Sequence, residues 1–272
     1  FNSGLRPALV KAAIAIAVAH GDPAIAGIEV PPHRLPVPTT VSEEMQAVIR
    51  KAVRPAWPAP LPTTNAGWNE MSNPDPAATR AKTLGLLSRL KLDLEEREIG
   101  GVHCYVITPR EMAGENERRL LVHIHGGGYV LGAGEKGIAE ALLVAGASEI
   151  KTISIDYRMP PEHPFPTPVD DAVALWKAVT AEYRGYATGL FGSSAGGARV
   201  LSVVQRSIGG NFAVPAAIVA GTPWSDLSET GDSYFTNRYA DPLAYRDLLR
   251  VMAEQYANGF DLHDPRLSPV YG

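Results

Sequence analysis

Short runs of consecutive apolar residues alternate along the chain with longer segments that repeat apolar residues at helical spacing. The apolar runs predict strands at residues 97–100, 102–108, 120–125, 151–156, 188–191 and 216–220. The helical pattern predicts helices at residues 42–54, 76–92, 135–148, 168–183, 195–207 and 241–257. Strands that are apolar throughout are typical of parallel sheets that are buried on both faces. The order therefore predicts an α/β fold in which helices flank a mostly parallel central sheet.

The first third of the chain differs from the rest in composition. Residues 22–76 are rich in proline, and we interpret them as an extended linker interrupted by the helix at 42–54. Before them, residues 9–19 form an alanine-rich apolar run that is too short to span a bilayer. This run fits the apolar core of a secretory signal or an alanine-rich surface helix, and the helix is favoured because Lys11 interrupts the run. The compartment stays open, with a cytoplasmic location slightly favoured over a periplasmic or secreted one.

Overall composition narrows the class of protein. With 45% hydrophobic and 20% charged positions among 272 residues, the chain can bury one sizeable core. A net charge of -4 provides no basic surface, so a nucleic-acid partner is not expected. The single cysteine, Cys104, excludes an intrachain disulfide. No Cys/His cluster or nucleotide-binding glycine motif predicts a metal ion or a cofactor.

A serine flanked by glycines, in the order Gly192-Ser193-Ser194-Ala195-Gly196, lies between a predicted strand and a predicted helix. This order is typical of a nucleophile elbow, in which a sharp turn exposes the serine at the end of the strand. Gly192 and Gly196 would keep the turn free of side-chain clashes, so Ser194 is the candidate nucleophile. Because the pattern is short, an ordinary glycine–serine turn is the alternative.

A second glycine motif, His125-Gly126-Gly127-Gly128-Tyr129, follows the predicted strand at 120–125. Glycines at a strand end let main-chain N–H groups turn outward, and two such donors stabilise a developing oxyanion. A loop of this kind before a nucleophile elbow is more specific than either motif alone, since the pair supplies both parts of an acyl-transfer site. We expect His125 to shape the loop by hydrogen bonding and His123 to be a core histidine.

Charged residues crowd together after the predicted strand at 151–156. Asp156, Arg158 and Glu162 surround the Pro160-Pro161 pair. We interpret them as a rigid loop held by an arginine–carboxylate pair rather than as two carboxylates for acid/base chemistry.

Five stretches together carry a resemblance to a known family. They are HGGGY (125–129), DYRMPPEHPFP (156–166), GSSAGG (192–197), TPWSD (222–226) and DPRLSP (264–269). In residues and in order they resemble the bacterial hormone-sensitive-lipase-like esterases of the α/β-hydrolase superfamily. One departure is Ser193, where many members have Asp and one branch has Thr, and this chain is closer to the Thr branch.

The resemblance implies an architecture and an activity. It implies an α/β-hydrolase fold with an N-terminal arm and helical cap over residues 1–93 and the hydrolase domain over residues 94–272. It implies a cofactor-free serine carboxylesterase that hydrolyses short-chain acyl esters through an acyl-enzyme on Ser194. In the cap, Trp57 and Trp68 either line an acyl pocket or pin the linker to the domain. The implied oxyanion donors are the N–H groups of Gly127, Gly128 and Ala195, with His125, Gly126, Gly192 and Gly196 in support.

The superfamily order of catalytic residues is Ser, then Asp or Glu, then His. After Ser194 the only histidine is His263, in a stretch that the family has before its acid-bearing strand. We therefore expect the triad acid and histidine, together with the last two strand–helix units, to be absent from this chain. A role for His263 as a base with Asp232 or Asp241 is the disfavoured alternative.

This expectation bears on partners and activity. Without its neighbours the strand at 216–220 would be an open edge, which predicts a homodimer or a complementing C-terminal fragment. Without a base Ser194 is a weak nucleophile, and activity is expected to lie about a thousandfold or more below that of an intact triad. The alternatives are a non-catalytic ligand-binding module or inactive fragment of the same fold, and an amide hydrolase, which shares the nucleophile motif.

Overall fold

In the computed structural model, six strands of the described residues form one sheet. They are β1 (Leu92–Ile99), β2 (Val102–Pro109), β3 (Arg119–Ile124), β4 (Thr152–Ile155), β5 (Ala187–Ser193) and β6 (Ala217–Gly221). The order is β1-β2-β4-β3-β5-β6, and the pairs β4–β3, β3–β5 and β5–β6 are parallel. An antiparallel hairpin of β1 and β2 joins the sheet through an antiparallel β2–β4 pair. The prediction of a mostly parallel sheet is confirmed.

The structure describes residues 36–51, 60–72, 75–237 and 245–272. The chain divides into two compact units, Phe1–Ala52 and Val53–Gly272, and the sheet belongs to the second. The described part of the first unit contains helix α1 (Glu43–Lys51). The apolar run at 9–19 and Trp57 lie outside the described residues, and the division into 1–93 and 94–272 stays a prediction. None of the described helices is long and apolar enough to cross a membrane.

Helices cover both faces of the sheet, as predicted. They are α2 (Asn65–Ser72), α3 (Pro76–Leu90), α4 (Ala139–Ser148), α5 (Thr167–Glu182), α6 (Ala195–Gly209), the single-turn α7 (Ser233–Thr236) and α8 (Tyr245–Ala257). Alternate residues of β2 face opposite sides. Tyr105 and Ile107 share a buried cluster with α3 and α4, whereas Cys104 and Val106 share one with α5, α6 and α8.

The first strand begins earlier than its sequence predicted. β1 starts at Leu92, and only its two ends are buried, because residues 93–98 are mostly charged and no apolar run marks the strand. Lys91 makes this start possible, since it adopts the left-handed conformation (φ 53°) that ends α3 at Leu90. The hairpin then turns at Gly100 and Gly101, whose φ values of 63° and 77° suit a two-residue turn with positive φ at both positions.

Helix α2 lies inside the segment that the sequence predicted to be an extended linker, so that prediction is wrong for residues 65–72. Thr64 begins the helix, because its Oγ1 accepts a hydrogen bond from Gly67 N at 3.1 Å and its carbonyl accepts one from Trp68 N at 3.0 Å. Trp68 is fully buried in the larger core cluster. Burial of this one ring outweighs the poor helix propensity of the surrounding residues.

Strand β6 is an edge of the sheet within the described part of the chain. Ile218 is 44% exposed and Val219 is 64% exposed. Because consecutive strand residues point to opposite faces, β6 exposes an apolar side chain on each face, although α6 contacts the strand. An apolar edge that is open in this way favours pairing with a further strand.

Trp68 anchors α2 to α8. Its indole Nε1–H donates to Gln255 Oε1 at 2.8 Å, and Gln255 Nε2 donates in turn to the Pro62 carbonyl at 2.9 Å. The ring therefore has the contacts of a structural anchor, which favours pinning over lining an acyl pocket.

The substitution Trp68→Ala should lower the free energy of unfolding by about 3–5 kcal/mol, because it empties a buried site and removes the donor to Gln255 Oε1. Trp68→Phe keeps most of the ring and loses the hydrogen bond, so it should cost about 1–2 kcal/mol. Urea unfolding followed by circular dichroism measures both values. An Ala variant as stable as the wild type would show that the ring is not an anchor.

Candidate active site

Ser194 lies in the sharp turn between β5 and α6. Its backbone has φ 58° and ψ -124°, a region that L-residues adopt only under strain. Three main-chain hydrogen bonds hold it there: Ser194 N donates to Gly221 O at 2.9 Å, and Ser194 O accepts from Trp224 N and from Ala198 N, both at 3.1 Å. The half-buried Ser194 hydroxyl makes no hydrogen bond within the described residues. The strain is therefore held by β6, the loop after it and the first turn of α6.

Gly192 and Gly196 allow the turn to lie against the end of β3. A Cβ atom on either glycine would overlap the Ile124 carbonyl oxygen, and one on Gly196 would also lie 2.8 Å from the His125 carbonyl carbon. Only hydrogen fits at both positions. The two glycines thus bring the serine turn into contact with the strand end from which the glycine loop starts.

The glycine loop itself touches the serine turn. A Cβ atom on Gly126 would lie 2.6 Å from Ser193 O and 3.4 Å from the Ser194 Cβ. Gly127 and Gly128 follow with φ values of 120° and 59°, which a residue with a side chain rarely adopts. The structure therefore brings together the two motifs that the sequence singled out.

Hydrogen bonds fix which way the loop peptides face. Gly126 O accepts from His125 Nδ1 at 2.8 Å, and Gly127 O accepts from Leu131 N at 2.8 Å. In a trans peptide the N–H points opposite to the C=O, so the N–H groups of Gly127 and Gly128 point away from these partners. Neither group donates a hydrogen bond within the described residues, and neither does Ala195 N at the start of α6.

His125 is a neutral structural group in this loop. Its ring is almost fully buried and stacks on Tyr157, with centroids 4.1 Å apart. Burial lowers the pKa of His125 to about 3, so the imidazole is uncharged at neutral pH. Because the Gly126 carbonyl can only accept, Nδ1 carries the imidazole proton.

A polar network that sequence reasoning missed lies behind the serine turn. Ser193 Oγ donates to Glu140 Oε1 at 2.6 Å, and His123 Nε2 donates to Glu140 Oε2 at 3.2 Å. His123 Nδ1 lies 2.8 Å from Ser154 Oγ. The hydrogen bond from His123 is the main cause that lowers the pKa of the Glu140 carboxyl. His123 is a fully buried core histidine, as expected, and the residue before the nucleophile is tied to α4.

The charged residues after β4 do not pair as the sequence predicted. Arg158 binds Asp171 on α5, with Nε to Oδ2 at 3.0 Å and Nη2 to Oδ1 at 2.7 Å. Asp156 Oδ1 accepts instead from Gly134 N at 2.8 Å, and Glu162 accepts from a main-chain N–H of α2. An arginine–carboxylate pair does brace this loop, but with a partner that the sequence pattern did not mark.

The candidate base His263 does not contact Ser194. His263 is exposed, and its Nδ1 lies 3.1 Å from Asp261 Oδ1 rather than against Asp232, while Asp241 lies outside the described residues. Within residues 36–51, 60–72, 75–237 and 245–272, no histidine is hydrogen-bonded to Ser194. The same residues contain no group of three or more His, Cys, Asp or Glu that could hold a metal ion.

The close approach at Gly196 gives a test. Gly196→Ala should lower the free energy of unfolding by about 3 kcal/mol, because the new Cβ overlaps the Ile124 carbonyl and forces α6 away from β3. Gly209→Ala, in the same helix and with open space around it, should instead be neutral or stabilising by up to about 1 kcal/mol. Thermal and urea unfolding measure both, and equal effects of the two substitutions would contradict the packing argument.

Comparison with known proteins gives consistent matches. A family model described as the alpha/beta hydrolase fold matches residues 121–272. The acetyl-hydrolase of Streptomyces hygroscopicus is 35% identical over 156 residues, which is 57% of this chain and 52% of that protein. The crystal structure of esterase E25 is 35% identical with a TM-score of 0.80, covering 90% of this chain and 77% of its own. The hormone-sensitive-lipase homologue EstE7, from a metagenome library, is 30% identical with a TM-score of 0.62, covering 70% and 67%.

The relatives are esterases, as the motifs predict, and the matched residues include both motifs. The chain spans about half the length of the curated relatives that it matches. The family model covers more than half of this chain and includes both the glycine loop and the serine turn. The chain belongs to the α/β-hydrolase family, within the hormone-sensitive-lipase-like group.

Proposed function

We propose that this chain carries the nucleophile and the oxyanion loop of a serine carboxylesterase that acts on short-chain acyl esters. One observation carries the proposal: the strained Ser194 turn touches the glycine loop, and hydrogen bonds to the Gly126 and Gly127 carbonyls turn the N–H groups of Gly127 and Gly128 the opposite way. Ester hydrolysis needs an attacking oxygen and preorganised donors at the same carbonyl. The names of the relatives, acetyl-hydrolase and esterase, support this class of substrate.

The proposed reaction begins when Ser194 Oγ loses its proton to a base and attacks the ester carbonyl carbon. Negative charge moves to the carbonyl oxygen, where the N–H groups of Gly127, Gly128 and Ala195 stabilise it. The intermediate collapses, the alcohol leaves with a proton, and the acyl group stays on the serine oxygen. Water then attacks the acyl-enzyme in the same way, which releases the carboxylic acid and restores Ser194.

We further propose that the base and its carboxylate partner lie outside the described residues, in line with the superfamily order of catalytic residues. Three of the five described histidines support this view, and a fourth, His103, binds Asp156 and Glu96. Both ring nitrogens of His123 have partners, His125 is neutral with its proton bound in the loop, and His263 pairs with Asp261 on the surface. Without a base, residual catalysis comes from the oxyanion donors and from substrate binding alone.

The open edge of β6 is the proposed place for the missing partner. A second copy of this chain or a complementing C-terminal segment would pair with the exposed strand and cover Ile218 and Val219. β6 also accepts the hydrogen bond from Ser194 N through Gly221 O. A strand added here would therefore lie next to the one that holds the nucleophile.

Ser194 gives the first test of this proposal. The wild-type chain should hydrolyse p-nitrophenyl butyrate slowly and form a covalent adduct with a fluorophosphonate on Ser194, whereas Ser194→Ala should do neither. Ser88→Ala, at an exposed position of α3, is the matched control and should keep both the hydrolysis and the adduct. Stopped assays of p-nitrophenol and peptide mass spectrometry measure the two readouts. Equal hydrolysis by wild type and Ser194→Ala would contradict the proposal, and binding of an ester without any adduct would favour a ligand-binding module.

The same assay tests the absence of a base. Hydrolysis should lie at least about a thousandfold below that of the Streptomyces hygroscopicus acetyl-hydrolase assayed in parallel. Without a histidine the rate should keep rising between pH 6 and 9, since hydroxide then removes the serine proton. An inflection near about pH 6.5 would reveal a histidine base and overturn this part of the proposal.

The edge of β6 gives a further prediction. If the wild-type chain self-associates through this strand, Val219→Lys should shift it toward monomer, because a charge on an edge strand opposes pairing. Ile208→Lys is the matched control, since Ile208 is equally exposed but lies on α6. Sedimentation velocity measures the distribution. An unchanged distribution in Val219→Lys would exclude pairing of two copies at β6. If the wild type is monomeric, a second copy is excluded as the partner of β6 and the complementing C-terminal segment is the partner that remains.

A further inference from the structure

Arg199, on α6, is a buried cation behind the glycine loop. It is 1% exposed, and its guanidinium carbon lies 4.2 Å from the ring centroid of Tyr157, 4.7 Å from that of Tyr129 and 5.1 Å from that of Tyr256. Burying a charge is costly unless something compensates it. No described carboxylate forms an ion pair with Arg199, and its Nε and Nη2 have no hydrogen-bond partner within the described residues. The three tyrosine rings are therefore its main compensation.

Among the described residues Arg199 makes one hydrogen bond, and it leads to the start of the glycine loop. Its Nη1 donates to Tyr157 Oη at 3.0 Å, and Tyr157 Oη donates to His125 O at 2.9 Å. A phenol has one proton, so accepting from Arg199 leaves that proton free for His125. The Tyr157 ring also stacks on the His125 ring, whose Nδ1 binds Gly126 O. This chain of contacts ends at the peptide that carries the Gly127 N–H.

The same guanidinium also contacts the end of the glycine loop. Tyr129, directly after Gly128, stacks on Tyr256 of α8 with centroids 4.2 Å apart. Tyr129 Oη donates to Trp224 O at 2.7 Å, in the loop that holds Ser194 from the other side. Arg199 therefore touches the residues that fix both ends of the loop, His125 through Tyr157 and Tyr129 directly.

We propose that Arg199 is the positioning residue of the oxyanion loop: its guanidinium, held by three tyrosines, fixes the two loop ends so that the Gly127 and Gly128 N–H groups keep their direction. The role of these donors rests on the proposed function, whereas the positioning of the loop does not. A buried cation beneath the donors also favours negative charge on the substrate oxygen. An apolar side chain of similar length would fill the space but would neither orient the Tyr157 hydroxyl nor supply the charge.

The structural part of the inference is tested by NMR, without any activity. In the wild type, the His125 imidazole should be a single Nδ1–H tautomer. Tyr157 Oη lies 3.1 Å from His125 Nδ1 as well as 2.9 Å from His125 O. In Arg199→Met its hydrogen can turn from the carbonyl to Nδ1, so the Nε2–H tautomer should become populated and the Gly127 amide resonance should shift. Selective ¹⁵N-histidine labelling, with the His125 signals identified by their loss in His125→Asn, measures the tautomer. An unchanged tautomer and amide resonance in folded Arg199→Met would overturn the inference.

The functional part is tested by the rate of the Ser194 reaction. Arg199→Met should lower kcat for p-nitrophenyl butyrate about 10- to 100-fold with little change in KM. The oxyanion donors stabilise charge that develops only in the transition state, so their misplacement slows the reaction without weakening substrate binding. Tyr157→Phe should have a similar effect, and the double variant should be no worse than either single one. Arg199→Lys, which retains the charge, should recover part of the loss. Arg206→Met, which removes a surface partner of Asp170 from the same helix, is the matched control and should react like the wild type.

The outcomes separate the two proposals. If the wild type shows no Ser194-dependent reaction, the proposed function fails and the NMR result alone decides the role of Arg199. If the wild type reacts and folded Arg199→Met reacts equally fast, Arg199 is a packing residue and the inference fails while the proposed function stands. Additive effects of Arg199→Met and Tyr157→Phe would exclude the route through the Tyr157 hydroxyl.

Discussion

The contact between the Ile124 carbonyl and the first turn of α6 determines how closely the ends of β3 and β5 can approach each other. Gly192 and Gly196 present only hydrogen atoms to that oxygen. A methyl group at either position would move the helix outward and separate the serine turn from the glycine loop. The proposed reaction depends on this short separation, because the attacking Ser194 oxygen and the oxyanion donors of the loop must act on the same carbonyl group.

Two polar groups flank this contact on opposite faces of the sheet, the half-buried Glu140 and the buried Arg199. Glu140 of α4 binds Ser193 behind the nucleophile, and Arg199 of α6 lies behind the loop among three tyrosines. Each is compensated locally, the carboxylate by hydrogen bonds from Ser193 and His123 and the cation by aromatic faces. The serine turn and the loop are thus each fixed from behind by a group that does not need to touch a substrate, which leaves the front of the site free.

The sequence indicated the parts of the site whose signal is local. Glycines beside Ser194 follow from the geometry of a single turn and can be recognised within a few residues. Glu140 and Arg199 could not be recognised in this way, because their partners lie 53 and 42 residues away and meet them only through packing. The same reason explains the misplaced start of β1, whose interior is charged, and the missed helix α2, which depends on burial of one tryptophan ring. Periodicity predicted the sheet and its helices because apolar strands covered on both faces leave continuous apolar runs.

The neutrality of His125 links the loop to acid stability. Burial holds the pKa of this imidazole at about 3 in the folded chain, whereas an exposed histidine in the unfolded chain titrates near about 6.5. Between these two values the unfolded chain binds a proton that the folded chain does not, so acidification favours unfolding by up to about 1.4 kcal/mol per pH unit. Above about pH 6.5 both states are uncharged at this position and the contribution vanishes. The His125 ring, which holds the loop in shape at neutral pH, is therefore also a group whose protonation destabilises the folded chain in acid.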